Sequence, residues 1–193
     1  MRSAPGDGHW QACESADAQS RALRRAFGAY ATGVAIVGVP GMTGSMAGMT
    51  VNSFVSVSLD PPLVSFAPSK RLTALEAYLG ASHFAASVLG AEHEEQSSHF
   101  ARPGSGKWER TDRILAPSGS PVLANALAAF DCRLVQRVEA GDHVIVIGEV
   151  LHYFHRTAGE PLLFWSGGYR RVAGDPAQRL PAEAEPYFLG WGA

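Results

Sequence analysis

Cysteine is scarce: Cys13 and Cys132 are the only two in 193 residues. They lie far apart, and neither belongs to a Cys-x-x-Cys or Cys/His pattern. A disulfide and a zinc site are both disfavoured, and a reducing, cytoplasmic compartment is expected. Long apolar runs are missing as well; none approaches the roughly 20 residues that a membrane helix requires. The opening residues, MRSAPGDGHWQACES, hold no apolar segment of the kind a secretory signal needs. There is no surplus of basic charge. Sixteen Lys and Arg against eighteen Asp and Glu give a formal net charge of -2. Neither nucleic acid nor a membrane is an expected partner. No GxGxxG follows a strand pattern and no GxxxxGK(S/T) occurs. His83, His93, His99, His152 and His155 form no HExxH array, so no metal is expected.

What is present is an ordinary globular composition, 46% apolar, long enough for one domain with a real core. Residues 1–16 lack periodicity and are expected to form a loose tail. From Asp17 to Tyr30, Leu23, Ala26, Phe27 and Tyr30 recur at three- and four-residue spacing opposite Arg21, Arg24 and Arg25. That predicts an amphipathic helix ending near Gly33. GVAIVGV, residues 33–39, reads as a buried strand, and a second strand from about Ser45 makes a hairpin with it. Asn52-Ser53 interrupts this strand, Phe54 to Ser58 alternates, and Asp60-Pro61-Pro62 is a corner. Residues 63–67 are a further strand. Pro68 to Arg71 is a loop, and Thr73 caps or begins a helix over 74–79.

Residues 83–89 read as a strand. Residues 91–101 read as a polar helix with Glu92, Glu94 and Glu95 near its start, where the dipole favours them. Residues 102–121, rich in Pro and Gly, are expected to be one long loop. Residues 126–138 and 142–155 are two long strands about a tight turn at Glu139-Ala140-Gly141. Phe130, Cys132 and Leu134 share one face, and Val144 and Val146 turn away from Ile145 and Ile147. Residues 161–165 are expected to close the sheet. Phe188 and Trp191 in the tail are apolar enough to dock on a partner. The expected domain is 17–171, with a C-terminal extension over 172–193. The sum is mainly β with short helices and little βαβ rhythm, best met by a closed or partly open antiparallel barrel.

Four places are candidates for chemistry. The stretch MAGMTVNSFVSVSLDPP, residues 46–62, interleaves short polar side chains with Val, Phe and Leu. It suits either an ordinary strand pair with a Pro corner or the wall of a site for a flat, hydrogen-bonding ligand. Ser69, Lys70, Arg71 and Thr73 ahead of a helix suit a phosphate cradle or a solvated basic loop. His143, at the Gly141-Asp142-His143 turn, either faces a pocket and orients a substrate or is a surface turn residue. Arg102 and Lys107 either close over an anionic cofactor or keep a loop in solution.

These residues carry a resemblance. FGAYATGVAIV at 27–37, GMTVNSFVSVSLDPPLV at 48–64, SKRLT, HFAASVL at 83–89, HFARPGSGKW at 99–108, AGDHVIVIGEV at 140–150 and PLLFWSGGY at 161–169 recur in this order and spacing in the short-chain flavin reductases. These are the reductase components of two-component flavin-dependent monooxygenases. The resemblance implies an FMN-binding split β-barrel that forms a homodimer. It implies hydride transfer from NADH or NADPH to FMN or FAD, with reduced flavin passing to a monooxygenase. By position, Met49, Thr50, Val51, Asn52 and Ser53 would line the flavin, and Ser58, Leu59, Asp60, Pro61 and Pro62 would continue the wall. Ser69, Lys70 and Thr73 would hold the phosphate. His143 would sit by the nicotinamide, and Tyr169 would end the pocket-closing segment. The chain departs from the family pattern in having Ser87 where many members carry Asn, so that the Asn contact to the cofactor is lost or taken over by Ser87, and Ala74 where they often carry a His of the phosphate segment. Residues 172–193 match nothing in it. The alternatives are a split-barrel oxidase or haem-binding relative, or a non-catalytic flavin-binding protein.

Overall fold

The computed structural model describes residues 17–41 and 45–173. The expected N-terminal tail, Cys13, and the tail residues Phe188 and Trp191 lie outside them. Among the described residues no helix is long and apolar enough to cross a membrane. In chain order the elements are α1 (Asp17–Phe27), β1 (Thr32–Gly33), β2 (Ala35–Pro40), β3 (Met46–Val51), β4 (Val55–Leu59), β5 (Pro62–Phe66), α2 (Leu75–Gly80) and β6 (His83–Val88). They continue with α3 (Glu94–Ala101), β7 (Arg113–Leu115), β8 (Pro121–Leu123), β9 (Ala128–Ala140), β10 (His143–His155), β11 (Leu163–Trp165) and β12 (Gly168–Arg170).

The main sheet has seven antiparallel strands in the order β3-β2-β6-β9-β10-β5-β4. Its edge strands, β3 and β4, are consecutive in the chain and joined by only Asn52, Ser53 and Phe54. Three residues span little more than about 10 Å, so the sheet must curl until its edges approach at that end. The two edges are not paired with each other, and the sheet stays open along this line. One side-chain bond crosses near the gap: the Ala67 N–H donates to Ser53 Oγ at 3.0 Å.

The expectation that residues 161–165 close the sheet is corrected. β11 pairs instead with β1 and β12 in a separate three-stranded sheet. The supposed loop 102–121 also carries structure. It contains a 3-10 turn at Lys107–Arg110 and the strand β7, which pairs with β8. The Pro and Gly residues hid elements of only three or four residues, too short for a periodicity to register.

Alternation along β2 explains why the sheet is buried on both faces here. Ala35, Val37 and Val39 point into the curled interior with Met49, Phe66, Tyr78, Phe84, Cys132 and Val146. Val34 and Ile36 point outward, under Leu89, Phe100, Trp108 and Leu162. Helix α3 and the 3-10 turn thus cover the outside of β2 and β3. The long hairpin of β9 and β10 pairs His143 with Ala140 around the two residues Gly141 and Asp142. Gly141 has φ of +62°, a backbone state in which a side chain is strained. Burial falls as expected: Val144 and Val146 are buried, while Ile145 and Ile147 are half-buried on the other face.

Candidate functional site

A cleft of about 850 Å³ opens beside β3. This lies within the ~300–1,000 Å³ usual for small-molecule sites. Three segments distant in sequence meet there, and the backbone explains how. The N–H of Lys70 donates to the Asp142 carbonyl at 2.9 Å, and the N–H of Val144 donates to the Pro68 carbonyl at 3.0 Å. Ser69 and His143 are paired across this bridge. The loop after β5 is therefore stitched to the β9–β10 turn, and both face β3.

Met49, Thr50, Val51, Asn52 and Ser53 line the cleft from β3 and its end. Met49 and Val51 are buried, Thr50 and Ser53 half-buried, and Asn52 exposed. Thr50 Oγ1 donates its proton to the Ser97 carbonyl at 2.7 Å. That leaves its lone pairs to accept from a ligand N–H. Ser69, Thr73 and His143 line the opposite side together with Arg71. Ser69 Oγ accepts from the Arg71 N–H at 3.2 Å, so the loop is folded on itself. His143 Nδ1 lies 2.7 Å from Asp142 Oδ1, and this bond pulls the Asp142 carboxyl below its ordinary range. Held this way, a neutral His143 keeps Nε2 as the nitrogen left for a ligand.

Other positions expected at the site lie elsewhere. Ser58, Leu59, Asp60, Pro61 and Pro62 sit on the β4–β5 edge hairpin, at the opposite edge of the sheet from β3, and do not line the cleft. Lys70 points away to an ion pair with Glu139. Ser87 is fully buried and its Oγ accepts from the Leu123 N–H at 3.0 Å. Tyr169 lies behind α3, its hydroxyl 2.8 Å from Ser97 Oγ. It reaches the cleft only through the Ser97 backbone that receives Thr50. Thr73 is not a helix cap: the cap position of α2 is Ala74, and no side chain caps it. The helix starts too late, and is too short at six residues, for its dipole to serve the loop.

The segment after α3 supplies a wall that the alternation pattern did not reveal. Phe100, Arg102 and Lys107 line the cleft, with Trp108 packed behind. Lys107 is only 9% exposed, and its Nζ donates to the Phe100 carbonyl at 2.9 Å and the Gly48 carbonyl at 3.3 Å. Burial lowers its pKa. Among the described residues it forms no ion pair. Trp108 Nε1 donates to the Ala47 carbonyl at 3.0 Å, so two successive carbonyls of the edge strand accept from this segment. A signal was available in Lys-Trp itself: an aromatic residue beside a cation within a Gly-rich loop suggests that the loop packs down.

A flat ring with acceptor and N–H edges and a phosphorylated tail fits this donor set. Aliphatic side chains and short hydroxyls occupy one wall, and hydroxyls and the exposed cation Arg71 occupy the other. Among the described residues no cluster of His, Cys, Asp or Glu could hold a metal ion.

Residues 27–173 match the family described as "Flavin reductase like domain", and the chain belongs to that family. It is 44% identical over 154 residues to the FMN reductase (NADH) of Agrobacterium fabrum, spanning 80% of this chain and 87% of that protein. It is 33% identical over 187 residues to the reductase subunit of a flavin-dependent monooxygenase from Rhodococcus jostii, spanning 94% and 90%. Two other curated relatives, from Rhizobium meliloti, are longer, and the chain spans 50% and 64% of them. Among solved structures, the NADH:FAD oxidoreductase of Streptomyces globisporus in complex with NAD and FAD fragments superposes with a TM-score of 0.78. That match has 38% identity and covers 86% of this chain and all of the other.

Proposed function

We propose that this protein is an NADH:flavin oxidoreductase that reduces FMN or FAD and supplies it to a flavin-dependent monooxygenase component. The observation that carries the reading is the cleft itself. It joins the β3 wall, the Ser69–Thr73 loop and His143 on one surface, in a chain of the flavin reductase family. Bound there, the nicotinamide and the flavin would supply the redox chemistry, a hydride transfer that would break one nicotinamide C–H bond, form one flavin N–H bond, and leave the nicotinamide oxidised and the flavin with two more electrons, one more proton and one more negative charge.

The protein's part is binding and placement. Met49 and Val51 offer apolar surface to a ring, and Thr50 Oγ1 accepts from its N–H edge. Ser69, Thr73 and Arg71 donate to phosphate. His143 Nε2 would orient the nicotinamide against the ring held by the β3 wall. Hydride transfer needs no protein nucleophile or general acid, so the role of His143 in the cleft is placement.

Purified protein mixed with NADH and FMN or FAD should consume NADH, followed at the nicotinamide absorbance band, with NADPH compared in parallel. No consumption with either flavin would favour a non-catalytic or oxidase relative. Release of reduced flavin by diffusion is sufficient for transfer, so a stable complex with the oxygenase is not required.

The chain is further proposed to act as a homodimer. Phe27 and Tyr30 of the α1 segment are 67% and 77% exposed, Val55, Val57 and Leu59 line the outside of edge strand β4, and Tyr153 is 73% exposed on β10. Exposed apolar side chains of this kind suit a surface that a second copy covers. Light scattering should give twice the chain mass; a single-chain mass would overturn the assignment.

A further inference from the structure

Lys107 is a cation built into the cleft wall. Its Nζ lies over the Phe100 ring, 6.0 Å from the centroid. Phe100 in turn packs on Trp108 at 4.5 Å between centroids. Its Nζ spends two of three N–H bonds on the Phe100 and Gly48 carbonyls. One N–H remains, in a group that lines the cleft. No carboxylate neutralises it among the described residues. An uncompensated, largely buried charge is costly to maintain and exerts an unusually strong field on whatever occupies the neighbouring space. Two carbonyl oxygens hold it in place without cancelling its charge. The arrangement is therefore preorganised for an anion that arrives in the cleft.

Building on the flavin-reductase reading, we propose that Lys107 stabilises the negative charge that the flavin ring system acquires with the hydride, so that the site binds reduced flavin more tightly than a neutral wall would. Two observations favour the ring over the phosphate as its target. Lys107 is anchored to Gly48, two residues from Thr50 on the same strand, which is the wall suited to a flat ring. The exposed cation and free hydroxyls that suit a phosphate, Arg71, Ser69 and Thr73, lie on the other side of the cleft, on the loop after β5. A group with one N–H left and 9% exposure is also a poor partner for three phosphate oxygens.

The test compares affinities for the two redox states in one protein. Dissociation constants for oxidised and for anaerobically reduced riboflavin, which has no phosphate, are measured for the wild type, Lys107→Met and Lys107→Arg. Removing the charge should lower the oxidised-to-reduced ratio of dissociation constants about tenfold. For a two-electron couple that is a fall of about 30 mV in the bound midpoint potential. Lys107→Arg, which keeps the charge, should stay near the wild-type ratio. An equal loss for both redox states, or a loss seen with FMN and absent with riboflavin, would overturn the proposal in favour of a structural or phosphate role. If Lys107→Met does not fold, the same ratio in the neutral, polar Lys107→Gln variant decides. A wild type that binds riboflavin and FMN in neither state would bring down the flavin-reductase reading itself, whereas normal binding with an unchanged ratio would remove only Lys107.

Discussion

Ser69 and His143 face one another across an antiparallel bridge, although one follows β5 and the other opens β10. The bridge sets the spacing between the candidate phosphate loop and the candidate nicotinamide contact, and Asp142 sets the tautomer of the imidazole between them. His143 is 42% exposed at its side chain and makes no apolar contribution to the core. Its removal should therefore cost function and not folding. In His143→Ala, NADH-dependent flavin reduction is expected to fall about tenfold, equal to about 1.4 kcal/mol of transition-state stabilisation. The FMN dissociation constant and the melting temperature should hardly move. Turnover equal to wild type would remove His143 from the mechanism.

Ser87 gives the opposite expectation. It lies between β2 and β9, paired with Ile36 and Ala129, and its hydroxyl receives the Leu123 N–H in a fully buried setting. Ser87→Ala would strand that donor, at a cost of about 1–3 kcal/mol. Urea unfolding should show the loss, while flavin affinity stays at the wild-type value. Weaker flavin binding with undiminished stability would instead make Ser87 a cofactor contact, as the resemblance implied.

The difference between these two residues shows what could be read in advance. Alternation was enough for the long hairpin, and short apolar runs were enough for β2 and β6, which are buried on both faces. At residues 46–62 the pattern marked the break at Asn52-Ser53 and the corner at Asp60-Pro61-Pro62, but not where the chain goes between them. Asn52 to Phe54 in fact carry the chain from one edge of the sheet to the other. Met49 to Ser53 therefore face the cleft and Ser58 to Pro62 do not. No local pattern encodes which edge a strand will join, since both edges need the same alternation. Lys107 was a candidate with two readings open, over a cofactor or in solvent, and it lines the cleft. A Lys in a Gly-rich loop can equally be solvated; what decides is that the fold sets its Nζ over Phe100, and that contact depends on α3 packing over β3.

His93 ties stability to pH. Its ring is 5% exposed, and its Nδ1 accepts the Gly90 N–H at 3.0 Å, so the folded form needs Nδ1 unprotonated. Burial lowers its pKa from 6.5 and outweighs the opposing pull of Glu92, while Arg156 adds to the lowering. With a folded pKa below the unfolded one, the unfolded chain binds the extra proton first as pH falls. The contribution of His93 is full above about 6.5 and is lost as pH drops below it, down through the folded pKa. The urea midpoint should decline from pH 7.5 to pH 5.5, and it should decline less in His93→Gln, which keeps an acceptor and cannot titrate. Identical slopes in the two proteins would assign the dependence to other groups.

Gly48 links packing to the site. A Cβ placed there would lie 2.4 Å from Phe100 Cε1 and 2.5 Å from Trp108 Nε1. The aromatic pair sits this close because β3 has no side chain at that point, and the same proximity lets Lys107 reach the Gly48 carbonyl. Phe100 and Trp108 are both about fully buried, so neither ring can retreat without disturbing Ile36 and Leu123 beneath them. Gly48→Ala should thus be an overpacking change worth about 1–3 kcal/mol in urea unfolding. It should also push the 100–108 segment off β3 and weaken flavin binding, although residue 48 has no side chain to contribute. Wild-type stability and affinity in Gly48→Ala would mean that the segment is free to move outward, and that the wall carrying Lys107 is not held against β3 by this contact.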